Sequence, residues 1–385
     1  MLYHLIDWLK SLGIDFPGMG LMHYLSFRAM LALVISMLIG FFVGGKIIGW
    51  LRKHQIGEDI RDLGLEGQMQ KKGTPTMGGI IIIVSVVGSA LLVCRLDSIY
   101  TILLLVTTLW CGGIGFADDY IKVFKHNKEG MSEKGKLILQ FGLGLVVALT
   151  VCISPDIPTD RLITTIPFVK AHEFDYSWLS PFHGQLGVYC SWGIYMVMII
   201  LVTLACSNGT NLTDGMDGLA SGTSAIVGVA IGIMAWLSGD VIDAQYLNIM
   251  YIPGSGEVAI YMAAFVGALI GFLWYNCFPA QVFMGDSGSL TIGGIIGVSA
   301  VLIRKELILP LLCGIFLMES LSVIIQRTHF KRTKRKYGEG RRVFLMAPLH
   351  HHYQKKGIPE PRIVTRFWII GIILGVATLA VLKIR

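Results

Sequence analysis

The sequence predicts an all-α polytopic membrane protein whose 385 residues form one integral membrane domain, residues 1–385. Only 15% of the residues are charged, whereas soluble domains carry about 25%. The chain is 54% hydrophobic and has a mean hydropathy of +0.67. Its apolar residues fall into blocks of roughly 17–25 residues, the length that a helix needs to cross a bilayer. These observations predict about ten transmembrane helices.

The ten apolar blocks follow one another along the chain with short polar connections. They cover residues 22–45, 77–94, 98–116, 136–153, 189–206, 218–237, 257–275, 288–303, 306–325 and 364–382. Residues 1–20 lack a basic leader, a long apolar core and a cleavage site, so we expect an interfacial segment and not a signal peptide. GxxxG spacings at Gly40/Gly44 and Gly267/Gly271 favour close helix packing.

The distribution of Lys and Arg predicts the orientation. The odd-numbered connections carry six basic residues in 46–72, five in 117–136 and twelve in 327–366. Because basic loops stay in the cytoplasm, we expect these connections to be cytoplasmic and both termini to be periplasmic. Clusters of ionisable residues at the cytoplasmic ends of the blocks would then form one active site, since such groups are costly near a membrane and usually functional.

Asp118 and Asp119 form the first of these clusters. Adjacent carboxylates repel each other unless a cation or a proton lies between them. A Mg²⁺-diphosphate would supply that cation, and one carboxylate could serve as a general base. The alternative is a solvated helix end with lysines nearby.

Asp214 and Asp217 lie in the segment NGTNLTDGMDGL, rich in Asn, Thr and Gly. If a helix begins near Asp214, the i, i+3 spacing places both carboxylates on one helix face. Glycines allow a ligand to approach the backbone closely. Helix capping is the alternative, although the segment holds more polar side chains than capping requires.

Asp286 lies in a Gly/Ser loop, FMGDSGS. A carboxylate in such a loop suits Mg²⁺, which usually takes one or two carboxylates together with substrate phosphates. The ring of Phe283 could stack on a nucleobase. Another helix cap is the alternative.

Three basic motifs complete the set. The internal triplet of histidines at 350–352 lacks zinc-site spacing, so we interpret it as donors to phosphate or base edges, or else as a surface basic patch. The segment KKGTPTMGG at 71–79 combines basic and hydroxyl groups beside glycines before a helix, which suits an anion, or its lysines only set orientation. The basic stretch Lys331–Arg342 predicts contact with anionic lipid headgroups. We expect no nucleic-acid binding.

Five motifs occur together and in order: KKGTPTMGG at 71–79, FADD at 116–119, NLTDGMDGLA at 211–220, FMGDSGSL at 283–290 and APLHHHY at 347–353. Together they resemble the polyprenyl-phosphate N-acetylhexosamine-1-phosphate transferases, and APLHHHY and KKGTPTMGG resemble the phospho-N-acetylmuramoyl-pentapeptide transferase branch. The resemblance covers nearly the whole chain. The departures are Gln354–Ile358 after the histidines and the longer segments 154–188 and 331–342.

The resemblance implies the reaction and its setting. UDP-N-acetylmuramoyl-pentapeptide and undecaprenyl phosphate would give lipid I and UMP, the first membrane step of peptidoglycan synthesis, with Mg²⁺ as cofactor. It also implies a multi-pass protein of the bacterial cytoplasmic membrane, surrounded by membrane lipids, and a homodimer. The alternatives are a related transferase that uses UDP-N-acetylglucosamine, and a transporter or channel, which the lack of a strong internal repeat disfavours.

The resemblance also implies roles for individual residues. Asp286 would hold Mg²⁺, Asp118 would act as the base and Asp119 would support the site. His350 and His351 would contact phosphate or nucleotide at the catalytic centre. The substrate-binding residues would be Lys71, Thr76, Lys122, Lys136, Asn208, Asn211, Asp214, Asp217, Asn276, Phe283, Gln326 and His352. Direct attack by the lipid phosphate and a covalent aspartyl-phosphate route both remain open.

Overall fold

The computed structural model describes residues 1–14, 17–54, 73–125, 127, 130–157, 162–167 and 173–382. These residues are predominantly helical. The helices are α1 (Leu2–Ser11), α2 (Leu25–Lys53), α3 (Gly79–Val93), α4 (Ile99–Phe124), α5 (Glu133–Ile153), α6 (Gly184–Thr213), α7 (Leu219–Gly239), α8 (Val241–Leu247), α9 (Gly256–Asn276), α10 (Asp286–Leu302), α11 (Leu309–Leu312), α12 (Gly314–Tyr337), α13 (Leu349–Lys355) and α14 (Glu360–Val381). Single 3₁₀ turns cover Met19–His23, Tyr176–Leu179 and Glu306–Ile308.

Each of the ten predicted apolar blocks overlaps a helix. Within the described residues, seven helices are long and apolar enough to cross a membrane, and an eighth is counted if the bent pair Glu306–Leu312 and Gly314–Tyr337 is one span. The bend between these two segments is 78°. The shorter apolar helices α3 and α10 have 15 and 17 residues. The protein is therefore a polytopic membrane protein, as the composition predicted.

Helix α10 lies at the centre of the bundle. Every residue from Ser287 to Leu302 is buried, and the helix packs against α3, α4, α6 and α7. Small residues permit this crowding: a Cβ on Gly293 would lie 2.3 Å from the carbonyl oxygen of Cys206 on α6. Close backbone approach at glycine is the usual basis of helix packing in membranes, where lipid gives no hydrophobic drive between helices.

Helices α2 and α9 pack through the two predicted GxxxG motifs. A Cβ on Gly40 would lie 3.1 Å from the Cα of Gly271, and one on Gly267 would lie 2.2 Å from the carbonyl oxygen of Leu33. At the other end of this pair, the guanidinium of Arg28 donates two hydrogen bonds, of 2.7 and 2.8 Å, to the carboxylate of Glu257. Both side chains are buried, and a buried charge needs such a partner.

One segment departs from the all-α prediction. Within residues 154–188, expected only as a long loop, β1 (Ile163–Thr165) pairs with β2 (Glu173–Asp175) in an antiparallel two-stranded sheet. The ammonium of buried Lys305 donates to the hydroxyl of Thr165 at 2.6 Å. The small sheet thus covers the connection that follows α10.

Candidate active site

Helix α4 carries Asp118 and Asp119 within its last two turns. The predicted block ended at residue 116, but the helix continues to Phe124. Asp118 has no exposed side-chain surface and Asp119 is only 3% exposed. The alternative of a solvated helix end is therefore wrong, because neighbouring protein groups cover both carboxylates.

Asp119 binds the first turn of α10. Its two carboxylate oxygens accept the backbone N–H groups of Asp286 and Ser287, each at 3.0 Å. Gly285 precedes the helix with a positive φ of 73°, and a Cβ there would lie 2.6 Å from the Asp119 carboxylate. Glycine therefore allows α4 and α10 to meet, and Asp119 satisfies donors that a helix N-terminus leaves unpaired.

Asp286 is the first residue of α10. The prediction that it lies in the loop before the helix is wrong. One oxygen of its carboxylate accepts the side-chain amide of Asn211 at 3.0 Å. The other lies 2.5 Å from the ammonium of Lys136 and 3.3 Å from that of Lys122. The helix N-terminus adds partial positive charge beside this carboxylate.

The same two lysines bind Asp118. Its Oδ2 lies 2.7 Å from Lys122 Nζ and 2.9 Å from Lys136 Nζ, and its Oδ1 accepts the backbone N–H of Met131 at 2.6 Å. Lys122 is one helical turn after Asp118 on α4, whereas Lys136 comes from the first turn of α5. Two charged residues from separate helices thus converge on one buried carboxylate.

The three aspartates form a compact acidic cluster, defined here as Asp118, Asp119 and Asp286. One oxygen of each lies within 4.8 Å of the others. Carboxylate oxygens are hard ligands of the type that Mg²⁺ prefers. Three carboxylates and two ammonium groups leave one formal negative charge, so the acidic cluster suits a divalent cation that arrives with an anionic substrate.

The prediction for Asp214 and Asp217 is wrong in its geometry. Helix α6 ends at Thr213 and α7 begins at Leu219, so both aspartates lie in the loop between them and do not share a helix face. Gly218 in this loop has a positive φ of 77°, a conformation that favours glycine. The chain turns there from one membrane helix into the next.

This loop is held by contacts to two other segments. The backbone N–H of Asp217 donates to the carboxylate of Glu360 at 2.7 Å, and its own carboxylate accepts the N–H of Ala280 at 3.0 Å. Asn276 accepts the Gly218 N–H at 3.1 Å and donates to the carbonyl of Val282 at 3.0 Å. Asp217 and Asn276, both predicted to bind uridine, thus lie together.

Thr76 and Phe283 lie on paired backbone segments. The Phe283 N–H donates to the carbonyl of Pro75, and the Gly78 N–H donates to the Phe283 carbonyl, both at 2.8 Å. Phe283 is three residues before Asp286, so this pairing brings the glycine-rich segment after residue 72 to the edge of the acidic cluster. Lys71 lies outside the described residues.

His350 links α13 to the loop that carries Asp214 and Asp217, called the aspartate loop from here on. Its Nδ1 lies 3.2 Å from the buried carboxylate of Glu319, which also accepts the backbone N–H of Leu349 at 2.6 Å. A Cβ on Gly215 would lie 2.1 Å from Nε2 of His350. The histidine is therefore fully buried between a carboxylate on α12 and the loop of Asp214 and Asp217.

The remaining predicted residues make contacts beside this centre. His351 contacts Gln354 at 3.2 Å, and Nδ1 of His352 accepts the Leu345 N–H at 3.1 Å. Burial and the nearby charge of Lys356 lower the pKa of His352. Gln326 binds the backbone of residues 343 and 344. The side-chain amide of Asn208 donates to Gln140 and not to the acidic cluster.

Two buried carboxylates, Glu319 and Glu360, were missed in the sequence. Both are buried, and both accept hydrogen bonds from the backbone of site segments. Glu319 lies inside the apolar block 306–325. An ionisable residue within a membrane helix is itself a signal of function, so the criterion applied to the block ends would have found it.

Comparisons with known proteins agree with the motifs. Residues 101–304 match the model of glycosyl transferase family 4, and residues 71–83 match signature 1 of the phospho-N-acetylmuramoyl-pentapeptide-transferases. The chain is 53% identical over 421 residues to the phospho-N-acetylmuramoyl-pentapeptide-transferase of Parabacteroides distasonis. It is 52% identical over 410 residues to that of Flavobacterium psychrophilum and 50% identical over 421 residues to that of Porphyromonas gingivalis.

Each of these matches covers 100% of both chains. The family model covers the acidic cluster and the loop of Asp214 and Asp217, and the signature covers the segment that pairs with Phe283. The chain therefore belongs to glycosyl transferase family 4 and, as its motifs predicted, to the phospho-N-acetylmuramoyl-pentapeptide-transferases.

Proposed function

We propose that the protein transfers phospho-N-acetylmuramoyl-pentapeptide from UDP-N-acetylmuramoyl-pentapeptide to undecaprenyl phosphate, giving lipid I and UMP. The observation that carries this proposal is full-length identity of about half to relatives named for this transfer. The acidic cluster at the ends of membrane helices supports it. One substrate is a soluble anion and the other a membrane lipid, so they must meet where membrane helices end.

Mg²⁺ is the proposed cofactor, with Asp286 as its principal ligand and Asp118 and Asp119 within reach. Each offers one carboxylate oxygen that lies within 4.8 Å of those of the other two, an arrangement that fits a hard divalent cation. When bound, Mg²⁺ neutralises charge on the diphosphate, as phosphoryl transfer requires. Asn211 orients the Asp286 carboxylate through the 3.0 Å hydrogen bond.

In the proposed mechanism an oxygen of the lipid phosphate attacks the β-phosphorus of the nucleotide directly, and the bond from that phosphorus to the bridging oxygen breaks to release UMP. Lys122, which contacts Asp118, and Lys136, which contacts Asp286, supply positive charge to the phosphates of the substrates. Asp118 takes any proton left on the lipid phosphate. Because the second pKa of a phosphate is about 6, that proton is mostly absent near pH 7 and the base contributes modestly.

A covalent route, in which an aspartate attacks first, is distinguished by trapping. Protein incubated with nucleotide substrate labelled at the β-phosphate, without lipid acceptor, should carry no label after denaturation if attack is direct. An Asp118→Asn variant that retains slow transfer would agree. Label on the protein that chases into lipid on addition of undecaprenyl phosphate would overturn direct attack.

The nucleotide is proposed to bind between the aspartate loop and α13. Asp217, Asn276 and Phe283 would bind uridine, and Asp214 would lie near the diphosphate. Lys71 and Thr76 would bind phosphate, together with His350 and His351. We propose that Asn208, Gln326 and His352 support substrate binding by holding neighbouring segments in place. Asn208 bonds to Gln140 on α5, Gln326 bonds to the backbone of residues 343 and 344, and His352 bonds to the backbone of Leu345.

The proposed topology has ten spans, with both termini in the periplasm and the site at the cytoplasmic face of the inner membrane. It requires α3, α10 and the bent pair to cross the membrane as well as the seven longer apolar helices. Membrane-impermeant labelling of a cysteine added after residue 385 in intact spheroplasts should succeed, and a cysteine at Lys336 should stay unlabelled until lysis. The reverse pattern would refute this orientation.

The reaction is tested with the purified protein, Mg²⁺, undecaprenyl phosphate and one UDP-sugar at a time, with UMP release as the measurement. UMP should appear with UDP-N-acetylmuramoyl-pentapeptide and not with UDP-N-acetylglucosamine. UMP from the second substrate alone would assign the chain to the related transferase. The proposed homodimer is tested by native mass spectrometry, in which a monomer at all protein concentrations would refute it.

A further inference from the structure

The C-terminal half of α12 and the segment after it form a cationic projection that takes no part in the proposed reaction. We define the basic arm as residues 327–345. It carries eight exposed basic residues against one acid, Glu339. The basic residues are Arg327, Lys331, Arg332, Lys334, Arg335, Lys336, Arg341 and Arg342.

The basic arm is an ordered structure. After α12 ends, the chain turns at Gly338 and returns along the helix. The Arg341 N–H donates to the hydroxyl of Thr333 at 2.8 Å, and a Cβ on Gly340 would lie 2.3 Å from the ring of Phe330. The side chain of Gln326 then holds residues 343 and 344 through three backbone hydrogen bonds. The backbone that carries the charges is therefore held in place.

The base of the basic arm is apolar and exposed. Ile324 and Ile325 on α12 are 58% and 45% exposed, and Val343 and Leu345 on the returning segment are 48% and 50% exposed. The Gln326 hydrogen bonds hold both pairs at the same level. In a membrane protein an exposed apolar surface favours contact with acyl chains, so the base of the arm suits the edge of the hydrocarbon layer.

The cations follow beyond the apolar base. Lys331 lies six residues beyond Ile325, about 9 Å along the helix. This is just past one headgroup layer of roughly 5–8 Å, so a long and flexible Lys side chain can reach the headgroups. A surface that only attracts soluble anions would need no apolar base. The apolar base and cationic end together match a membrane interface in which anionic headgroups lie above acyl chains.

We propose that the basic arm binds anionic phospholipid headgroups in the leaflet on the active-site side of the membrane. Such binding would hold α12 and, through Gln326 and His352, the segment that leads into α13. The arm would thus concentrate anionic lipid beside the site, separately from the chemistry of the acidic cluster.

The test measures lipid preference with the full-length protein in phosphatidylcholine nanodiscs that hold a trace of spin-labelled lipid. The native protein should immobilise labelled phosphatidylglycerol in preference to labelled phosphatidylcholine. In the triple variant K331Q/K334Q/K336Q this preference should fall by at least about threefold, because each cation near an anionic headgroup adds to the attraction. The matched variant K331R/K334R/K336R, which keeps the charges, should retain it.

Thermal unfolding of each variant establishes that it is folded, and Glu339→Gln should strengthen the preference. Native preference in the glutamine variant, or equal loss in the arginine variant, would overturn the proposal. A raised KM for the UDP-linked substrate with unchanged lipid preference would also overturn it, since the cations would then attract a soluble anion. Failure of the proposed reaction is detected separately, by the absence of UMP release.

Discussion

Asp119 connects the chemistry of the acidic cluster to the backbone of α10. Its carboxylate accepts two N–H groups at the start of that helix while lying among the potential metal ligands. Asp118 differs, since its side-chain partners are the two lysines. These two adjacent residues therefore have separable roles. Asp119 mainly holds the start of α10, whereas Asp118 mainly supplies negative charge beside the two lysines.

Replacing Asp119 should lower stability as well as activity. Asp119→Ala removes the acceptor for both N–H groups, and loss of a helix cap costs about 0.5–2 kcal/mol, so the thermal unfolding temperature in detergent should fall. Asp119→Asn retains an acceptor oxygen and should fall less. Equal unfolding temperatures for the native protein and both variants would contradict the capping role.

Metal removal should abolish UMP release, and Asp286→Asn should weaken binding of Mn²⁺, a paramagnetic substitute for Mg²⁺, measured by electron paramagnetic resonance. Loss of even an outer partner of a metal site costs about 10–100-fold in affinity, so a comparable or larger loss is expected here. Asp97→Asn is the control, since that exposed carboxylate pairs with Arg95 outside the acidic cluster. Native Mn²⁺ affinity in Asp286→Asn would exclude Asp286 as a ligand.

The geometry of the site depends on how closely α4 and α10 approach each other. A Cβ on Gly115 would lie 2.2 Å from the carbonyl oxygen of Asp286. One turn of α4 and the first turn of α10 are therefore in backbone contact at the level of the acidic cluster. The spacing between Asp118 and Asp286 is set by this contact more than by the loops that connect the helices.

Gly115→Ala should therefore separate the two helices and reduce both stability and UMP release. Overpacking of this kind costs typically 1–3 kcal/mol, so roughly that loss in unfolding free energy is expected. Gly113→Ala is the matched control on the same helix, since no atom lies within 4 Å of its Cβ position. If the two variants behave alike, the contact does not set the site geometry.

The apolar helices were predictable from sequence, whereas their ends and the short helices α8 and α13 were not. A membrane segment must satisfy its backbone internally, so block length located the apolar helices, including short α3. Hydropathy measures transfer into lipid and therefore ended the α4 block at residue 116, although protein burial extends the helix to Phe124. The loop of Asp214 and Asp217 was mistaken for a helix start because its partners, Asn276 and Glu360, are distant in sequence.

Charged groups are buried at both ends of the helix bundle but serve different purposes. Asn276 ends α9 near the site, whereas Glu257 lies at the other end of that helix, about 30 Å away. There the Arg28–Glu257 pair, a contact of 2.7 Å, joins α2 to α9. This pair stabilises the bundle without approaching the acidic cluster.

Glu257→Gln should lower the unfolding temperature strongly and leave turnover at low temperature near native. Breaking one partner of a buried pair costs about 3–5 kcal/mol because the other charge stays buried. The double variant Arg28→Met with Glu257→Gln should recover part of the loss. Reduced turnover at a native unfolding temperature would instead show that the pair acts on the site.

The complete enclosure of α10 has a consequence for the biogenesis of the protein. The four membrane helices against which it packs, α3, α4, α6 and α7, all precede it in the chain, and synthesis proceeds from the N-terminus. When α10 leaves the ribosome, the four helices that will surround it have already been synthesised. Its 17 residues, at the short end of the spanning range and including several Gly and Ser, can then pass from the translocon into contact with helices that are already present.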